Sequence, residues 1–451
     1  MNKRKIIWWI AAAGGLILLL LALYRVPFIY NRLSWRLEDL KSRVIYTFRP
    51  PDQAVFVPAG SSPTGTAAPL PEPTPDKDPI ETQETEPTPT PNQEPTATPR
   101  DLPESVILEN VVYVFQNERW NYCGPANLTM ALNYWGWEGD RDDVARVIKP
   151  GVNNPDLDFI QQGRSDKNVM PSEMIDFIVD YTDLNIAARY GGTPDLLKTL
   201  IANGYPVLVE KGTTRLDTFG DVSWMGHYLF TTGYDDTQSE FIVQDSYIEK
   251  GNTIDDHQNK RVPYDSYVAN WQAFNYLFLV VYPPEQQSEV IELLGPWNDP
   301  VWSYEEALAR ARQEAENGQG VEEFFAWFNI GTNLVKLERY EEAAEAYDRA
   351  YDIYNQLPEN DTIRPYRMTW YQTWPYMAYY FSGRYQDVIN LAEFTLNTIS
   401  DPTLEETLYW RGRAHYALGN TALSRQDLYQ AVWLNPNFKA GHILISQYNF
   451  D

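Results

Sequence analysis

The stretch PLPEPTPDKDPIETQETEPTPTPNQEPTATP dominates the segment from about Gly60 to Pro103. A run this rich in Pro, Thr and Glu cannot bury enough apolar surface to offset the entropy of ordering it. It therefore divides the 451-residue chain into a short N-terminal part and a long globular part. An extended, partly polyproline spacer is expected between them, reaching on the order of 100 Å at ~3.1 Å per residue.

The part before the spacer reads as a membrane anchor. Met1–Lys5 is basic, and Ile6–Tyr24 is an uncharged apolar run close to the ~20 residues that span a bilayer as a helix. The exit LALYRVPF lacks the small-x-small pattern of a cleavage site, which predicts an uncleaved transmembrane helix. Lys3, Arg4 and Lys5 hold the N-terminus inside, although Arg25, Arg32, Arg36, Lys41 and Arg43 follow the span. The N-inside orientation fits an extracytoplasmic spacer; a cytoplasm-facing protein is the alternative. Leu33–Phe48 has helical apolar spacing and predicts a juxtamembrane helix at the interface or extending the anchor. Pro50-Pro51 stops it.

Composition narrows the function classes. With 36 Lys and Arg against 62 Asp and Glu, the formal net charge is −26, which argues against nucleic acid as a partner. A hydrophobic content of 43% allows real cores. One cysteine excludes a disulfide framework or a multi-cysteine metal site. No glycine-rich phosphate loop or zinc-ligand cluster is present, so no cofactor or metal is implied.

Beyond Ser105 the pattern is α+β. Val111–Phe115 predicts a strand. Helices are expected at Pro125–Trp135, Pro171–Tyr181 and Pro194–Asn203, each with a proline at or near its first turn. Pro206–Glu210, His227–Thr232, Glu240–Asp245 and Leu277–Tyr282 are β-rich, and Gly233-Tyr234-Asp235-Asp236 signals a hairpin turn. Helices first and antiparallel strands later argue against a doubly wound sheet. From Trp302 the pattern is purely helical. Trp327, Ile330, Gly331, Leu334, Tyr340, Ala343, Tyr347 and Ala350 occupy the offsets of a tetratricopeptide unit of about 34 residues. Leu408, Gly412, Ala431 and Pro436 repeat them; a degraded copy ending at Pro402 lies between, and Ser303–Gly318 resembles the second helix of a further unit. Gly331, Gly412, Ala343, Ala350 and Ala431 supply small residues for close helix approach.

The single cysteine opens an apolar helix. Leu128, Ala131, Leu132 and Trp135 fall at i, i+3, i+4 and i+7, a buried stripe. Cys123 then sits where free N–H groups and the helix dipole favour an anion. Such a position, or a nearby imidazolium, can lower a thiol from ~8.5 to roughly 3.5–7.5. Gly124 would let the backbone approach a bound carbonyl. The segment alone leaves two readings, a packed inert cysteine or a nucleophile. Of the four histidines, His415 and His442 lie among the repeats, His415 on a packing offset, and His257 in DDHQNK reads as a solvated surface residue. His227 begins a strand after a glycine, and Asp245 ends the next strand, so a hairpin can place them side by side. Each also has a plain alternative, a backbone-bonded strand-end histidine and a turn-capping aspartate.

NYCGPANLTMALNYWGW, NGYPVLV and MGHYLFTTGYDD, in this order and followed by an Asp-x-Tyr strand end and LFLVVYP, resemble the C-39-like cysteine peptidase family. The resemblance covers roughly Ser105–Pro284. It implies a papain-like α+β fold with Cys123 as nucleophile, His227 as general base and acid, Asp245 as the orienting residue, and Gln116 as the side-chain donor of the oxyanion hole. Papain-like enzymes usually carry that glutamine one residue nearer the cysteine, at the place of Asn117, which also bears an amide. A one-residue bulge would restore Gln116. Ser246 replaces the proline common after this aspartate, a change expected to affect only the turn.

These readings divide the chain into a basic cytoplasmic N-terminus (1–5), a transmembrane signal anchor (6–24), a juxtamembrane segment (25–57), a linker (58–104), a papain-like C-39-like domain (105–284), a connector (285–300) and tetratricopeptide-like repeats (301–451). The resulting expectation is a single-pass cell-membrane protein with an extracytoplasmic cysteine peptidase domain acting on a protein or peptide, and repeats that bind a protein partner. The alternative is a catalytically silent scaffold that binds envelope proteins.

Overall fold

The apolar runs of the middle third pair into one antiparallel sheet. In the computed structural model its strands are β1 (Ser105–Ile107), β2 (Asn185–Arg189), β3 (Val207–Leu216), β4 (Val222–Asp235), β5 (Glu240–Gln244), β6 (Lys260–Pro263) and β7 (Phe278–Tyr282). The order is β2-β7-β3-β4-β5-β6, with β1 paired to the end of β4. The structure describes residues 40–60, 102–117, 119, 121–163, 168–216, 222–249, 251–360, 363–401 and 403–450, together with Gly14, Gly15, Tyr24, Val26 and Leu37. Apart from Gly14, Gly15 and Tyr24, the apolar run Ile6–Tyr24 lies outside them, as do the spacer residues 61–101 and Pro402. Among the described residues no helix is long and apolar enough to cross a membrane.

Alternation along the strands feeds two cores. Val207, Val209, Leu229, Phe278 and Val280 point to one face, where helix Pro194–Ala202 and Trp271 cover them. Leu208, Tyr228, Phe230, Leu279 and Val281 point to the other. There they meet Leu128, Ala131 and Leu132 of α1 (Cys123–Tyr134), and Met174, Phe177 and Ile178 of helix Pro171–Tyr181. A period of two on a sheet covered on both sides gives buried residues at every position, so β7 is apolar throughout.

Several boundaries differ from expectation. Val111–Phe115 is extended but joins no ladder; it is held by single bonds such as Tyr113 Oη to the Asp245 carbonyl at 2.7 Å. The helix of the cysteine starts at Cys123 rather than Pro125. β4 runs through Gly233–Asp235, with a bulge at Thr231–Gly233, so the hairpin turn falls later, at residues 236–239. The connector is not loose, because helix Gln287–Leu294 buries Val290, Leu293 and Leu294 on the first core.

The C-terminal part stacks helices Pro300–Asn317, Val321–Lys336, Tyr340–Gln356, Trp374–Phe381, Tyr385–Asn397, Glu405–Ala417, Thr421–Leu434 and Lys439–Gln447. The small residues act as expected. A Cβ on Gly331 would stand 2.6 Å from the Tyr347 ring, and one on Gly412 would stand 3.1 Å from Leu428. The degraded copy contains an extra turn, Met368–Tyr371, before Pro375 restarts a helix at its first turn.

The segment before the spacer is bound to these repeats, which corrects its reading as a purely membrane-associated helix. Residues 40–48 are helical; Lys41 pairs with Asp401, Ser42 bonds Ser400 at 3.0 Å, and Arg49 bonds Asn397 at 2.6 Å. Past Pro50-Pro51 the chain extends across the helices. Phe56, 2% exposed, enters the aromatic core edge-on to Tyr351 at 4.8 Å. Its carbonyl accepts from Asn355 at 2.7 Å, and the Ala59 N–H donates to Asp387 at 2.7 Å. Burying a phenylalanine contributes about 1.5–3 kcal/mol. The segment therefore stays on the repeats, and the globular body is joined to the N-terminal residues without the spacer's reach.

Candidate active site

α1 directs its N-terminus at β4. The Cys123 sulfur lies against the backbone N–H of Tyr228, which favours the thiolate together with the Gly124 N–H. Burial outweighs both, and the neighbouring Glu210 carboxyl acts in the same direction as burial, so the thiol is pushed up rather than down. Helix position alone therefore does not produce a resting thiolate, as the sequence had suggested. Cys123 nevertheless keeps partial exposure. Gly124 serves packing: a Cβ there would come within 2.8 Å of Val169.

One residue before Tyr228, His227 faces the other way. Its Nε2 lies 2.8 Å from Asp245 Oδ1. A carboxylate only accepts, so the imidazole proton sits on Nε2 and the Nδ1 lone pair is open. Among the described residues no hydrogen bond engages Nδ1, and none joins the imidazole to the Cys123 sulfur. Burial lowers His227 to about 4; Arg215 and Lys211 add to the shift and Asp245 opposes it. The site at rest is a thiol and a neutral imidazole.

The surroundings of Asp245 come from residues distant in sequence. Arg215 pairs with it from β3, Lys260 Nζ stands 3.5 Å away, and the Tyr247 N–H donates at 3.2 Å. His227, Arg215 and the donors hold this carboxyl well below its usual range against the penalty of burial. His257, expected in solvent, is 1% exposed. Its carbonyl accepts the Asp245 N–H at 3.0 Å, and its Nδ1 lies 4.0 Å from Asp245 Oδ2. Burial lowers it too. The polar string DDHQNK folds over the aspartate, and its composition hides that. His415 is half-buried on its helix, in agreement with a packing role.

A second cluster settles which amide is available. Asn117 is spent on Ile248, donating to its carbonyl at 2.8 Å and accepting its N–H at 2.9 Å. Gln116 accepts from Ser246 Oγ at 2.9 Å through Oε1, and among the described residues its Nε2 makes no hydrogen bond. A turn from Gln116 to Arg119 and a left-handed Asn121 (φ 51°) take up the extra residue before Cys123. Ser246 does more than shape a turn: it also accepts from Asn127 at 3.0 Å, and that same amide donates to the Cys123 carbonyl at 2.8 Å and the Tyr228 carbonyl at 3.1 Å.

Residues 108–278 match the model of the Peptidase_C39 like family, and residues 324–357 match the tetratricopeptide repeat. The chain carries a C39-like domain followed by a tetratricopeptide repeat. Among solved structures, it is similar to a chain described as a C39-like peptidase from Bacillus anthracis, with 18% identity over 39% of this chain and 96% of that one, at a TM-score of 0.29. It is also similar to xylellain, a cysteine protease from Xylella fastidiosa, with 17% identity over 40% and 87%, at a TM-score of 0.27. No curated protein matches the sequence. Cys123, Gln116, His227 and Asp245 all fall within the matched C39-like segment.

Proposed function

We propose that the C39-like domain is a thiol peptidase acting on a protein or peptide, and that Ile6–Tyr24 anchors it in the cell membrane with its globular part outside the cytoplasm. The observation that carries the catalytic reading is the His227–Asp245 hydrogen bond through Nε2, which leaves Nδ1 as a base beside the residue whose N–H meets the thiol. Nδ1 accepts the Sγ proton as sulfur forms its bond to the scissile carbonyl carbon. The oxyanion takes the Gln116 Nε2 donor, a contribution of about 2.7–4 kcal/mol for one such group. Collapse breaks the C–N bond, and His227 returns its proton to the departing amine. Water, deprotonated by His227, then cleaves the thioester and restores the thiol. A resting thiol and neutral imidazole suit proton transfer in step with attack, since no ion pair must first be undone.

The repeats supply a protein-binding element, and a partner or substrate protein is the class they fit. The test is incubation of the purified protein with a complex peptide mixture and mass spectrometry of new termini. The expected result is cleavage by the wild type that Cys123→Ala and His227→Ala abolish. Absence of wild-type cleavage would favour the second reading, a catalytically silent scaffold. What favours that reading is the raised thiol and the absence, among the described residues, of a Cys123–His227 hydrogen bond.

A further inference from the structure

The repeat region reaches back to the thiol. Its extra segment, Arg367–Gln372, touches both walls of the site. On the histidine side, Arg367 donates to Ser223 Oγ at 2.6 Å and to the Trp224 carbonyl at 2.7 Å. Tyr371 packs on Trp224 and Phe274 at centroid distances of 6.3 and 6.0 Å. Gly226, next to His227, permits this approach, because a Cβ there would stand 3.1 Å from the Tyr371 ring. On the cysteine side, Asn168 donates to the Trp370 carbonyl, and the adjoining Val169 is the residue packed on Gly124. Gln372 ties the far end to the Ala273 carbonyl at 2.9 Å.

Tyr371 itself stays partly exposed, as does Cys123. Its phenol is pushed up to about 12, chiefly by burial, with the Arg367 guanidinium opposing. A ring packed against the backbone beside His227, on a turn whose Trp370 carbonyl is tied to Asn168 next to the Gly124 contact, borders the surroundings of the thiol.

We infer that Tyr371 is a substrate-contacting wall of the Cys123 cleft, contributed by the repeat region, and that it limits the size of the group seated beside the thiol. The inference rests on the reading of Cys123 as the acyl-accepting residue. It assigns the repeat region a part in specificity separate from the partner binding proposed for it.

The test compares alkylation of the full-length protein by iodoacetamide and by its N-naphthyl derivative at one pH, so that each variant's thiolate fraction cancels in the ratio of the two rates. Tyr371→Ala is expected to raise the naphthyl-to-parent rate ratio by about tenfold or more, the scale on which one pocket contact discriminates. Tyr371→Leu should give an intermediate ratio and guards against misfolding of the alanine variant. Tyr371→Phe, which keeps the ring, should leave the ratio within about twofold. An unchanged ratio in Tyr371→Ala and Tyr371→Leu overturns the inference, and so do two rates that rise together, which marks a general loosening of the interface. No labelling of any variant also overturns it, because the cleft is then closed to ligands. The size ratio does not depend on turnover, so loss of the peptidase reading through the peptide-mixture assay is a separate result.

Discussion

His227 Nε2 and Asp245 Oδ1 are 2.8 Å apart, and Arg215 grips the same carboxylate from the neighbouring strand. One carboxylate therefore serves both a neutral imidazole and a guanidinium. Burial holds the imidazole to about 4, and Arg215 adds to that shift by countering the carboxylate's pull.

Replacing that guanidinium should lessen the shift. In Arg215→Met the His227 pKa is expected to climb from about 4 toward 6.5, since a cation that disfavours the imidazolium is gone. NMR titration of the imidazole reads it directly. The same variant leaves a buried carboxylate with one partner fewer and should lose about 3–5 kcal/mol of stability. An unmoved histidine would show that burial alone sets its value.

Stability should fall on acidification through the range from 6.5 down to about 4. The unfolded chain binds a proton on His227 across that window and the folded chain does not, so the contribution is complete above the unfolded value and vanishes as pH drops through the folded one. At 1.36 kcal/mol per unit the full effect is on the order of 3 kcal/mol. Urea midpoints at neutral and acid pH, compared between wild type and His227→Gln, measure it. The variant should lose less stability on going to acid.

The amide cluster predicts a ranking. Gln116→Ala should lower kcat by about 10²–10³ as an oxyanion donor is lost. Ser246→Ala should lower it less, because it only frees the glutamine to turn. Asn117→Ala should cost stability, about 1–3 kcal/mol for the unpaired groups of Ile248. A kcat loss in Asn117→Ala larger than in Gln116→Ala would reverse the assignment of the donor.

Phe56 predicts that residues outside both matched segments hold the repeats together. Phe56→Ala should destabilise the protein by about 3–5 kcal/mol. Val57→Ala, at a position 69% exposed, should stay within about 0.5 kcal/mol. Thermal unfolding of the two variants separates a docked segment from an incidental one.

Much of this was legible because it is written in local periodicity and punctuation. Cys123 heads a 3.6-period stripe, His227 follows a glycine into a two-period run, and Asp245 closes the partner strand. What was hidden depends on distance along the chain. The β-rich run reads as Pro206–Glu210, yet β3 continues to Leu216 because β4 offers a ladder from Leu216 back to Val207, and so delivers Arg215 to a carboxylate 30 positions later. Tyr371 sits where the repeat pattern has decayed, so no offset marks it. Phe56 follows two prolines in a short apolar patch whose partners lie on helices some 300 positions away. Polar composition likewise misplaced His257, since its burial comes from a loop folding over a charge.

Both flanks of the proline-rich stretch are fastened to one body. Ala59 is bonded to Asp387, and the Pro103 carbonyl accepts the Tyr234 hydroxyl at 2.8 Å. A single cleavage between those anchors would not separate the N-terminal segment from the globular portion. The two fragments would travel together through a sizing column and part only under denaturing conditions, because the clasp between residues 41–59 and the repeats outlasts the cut.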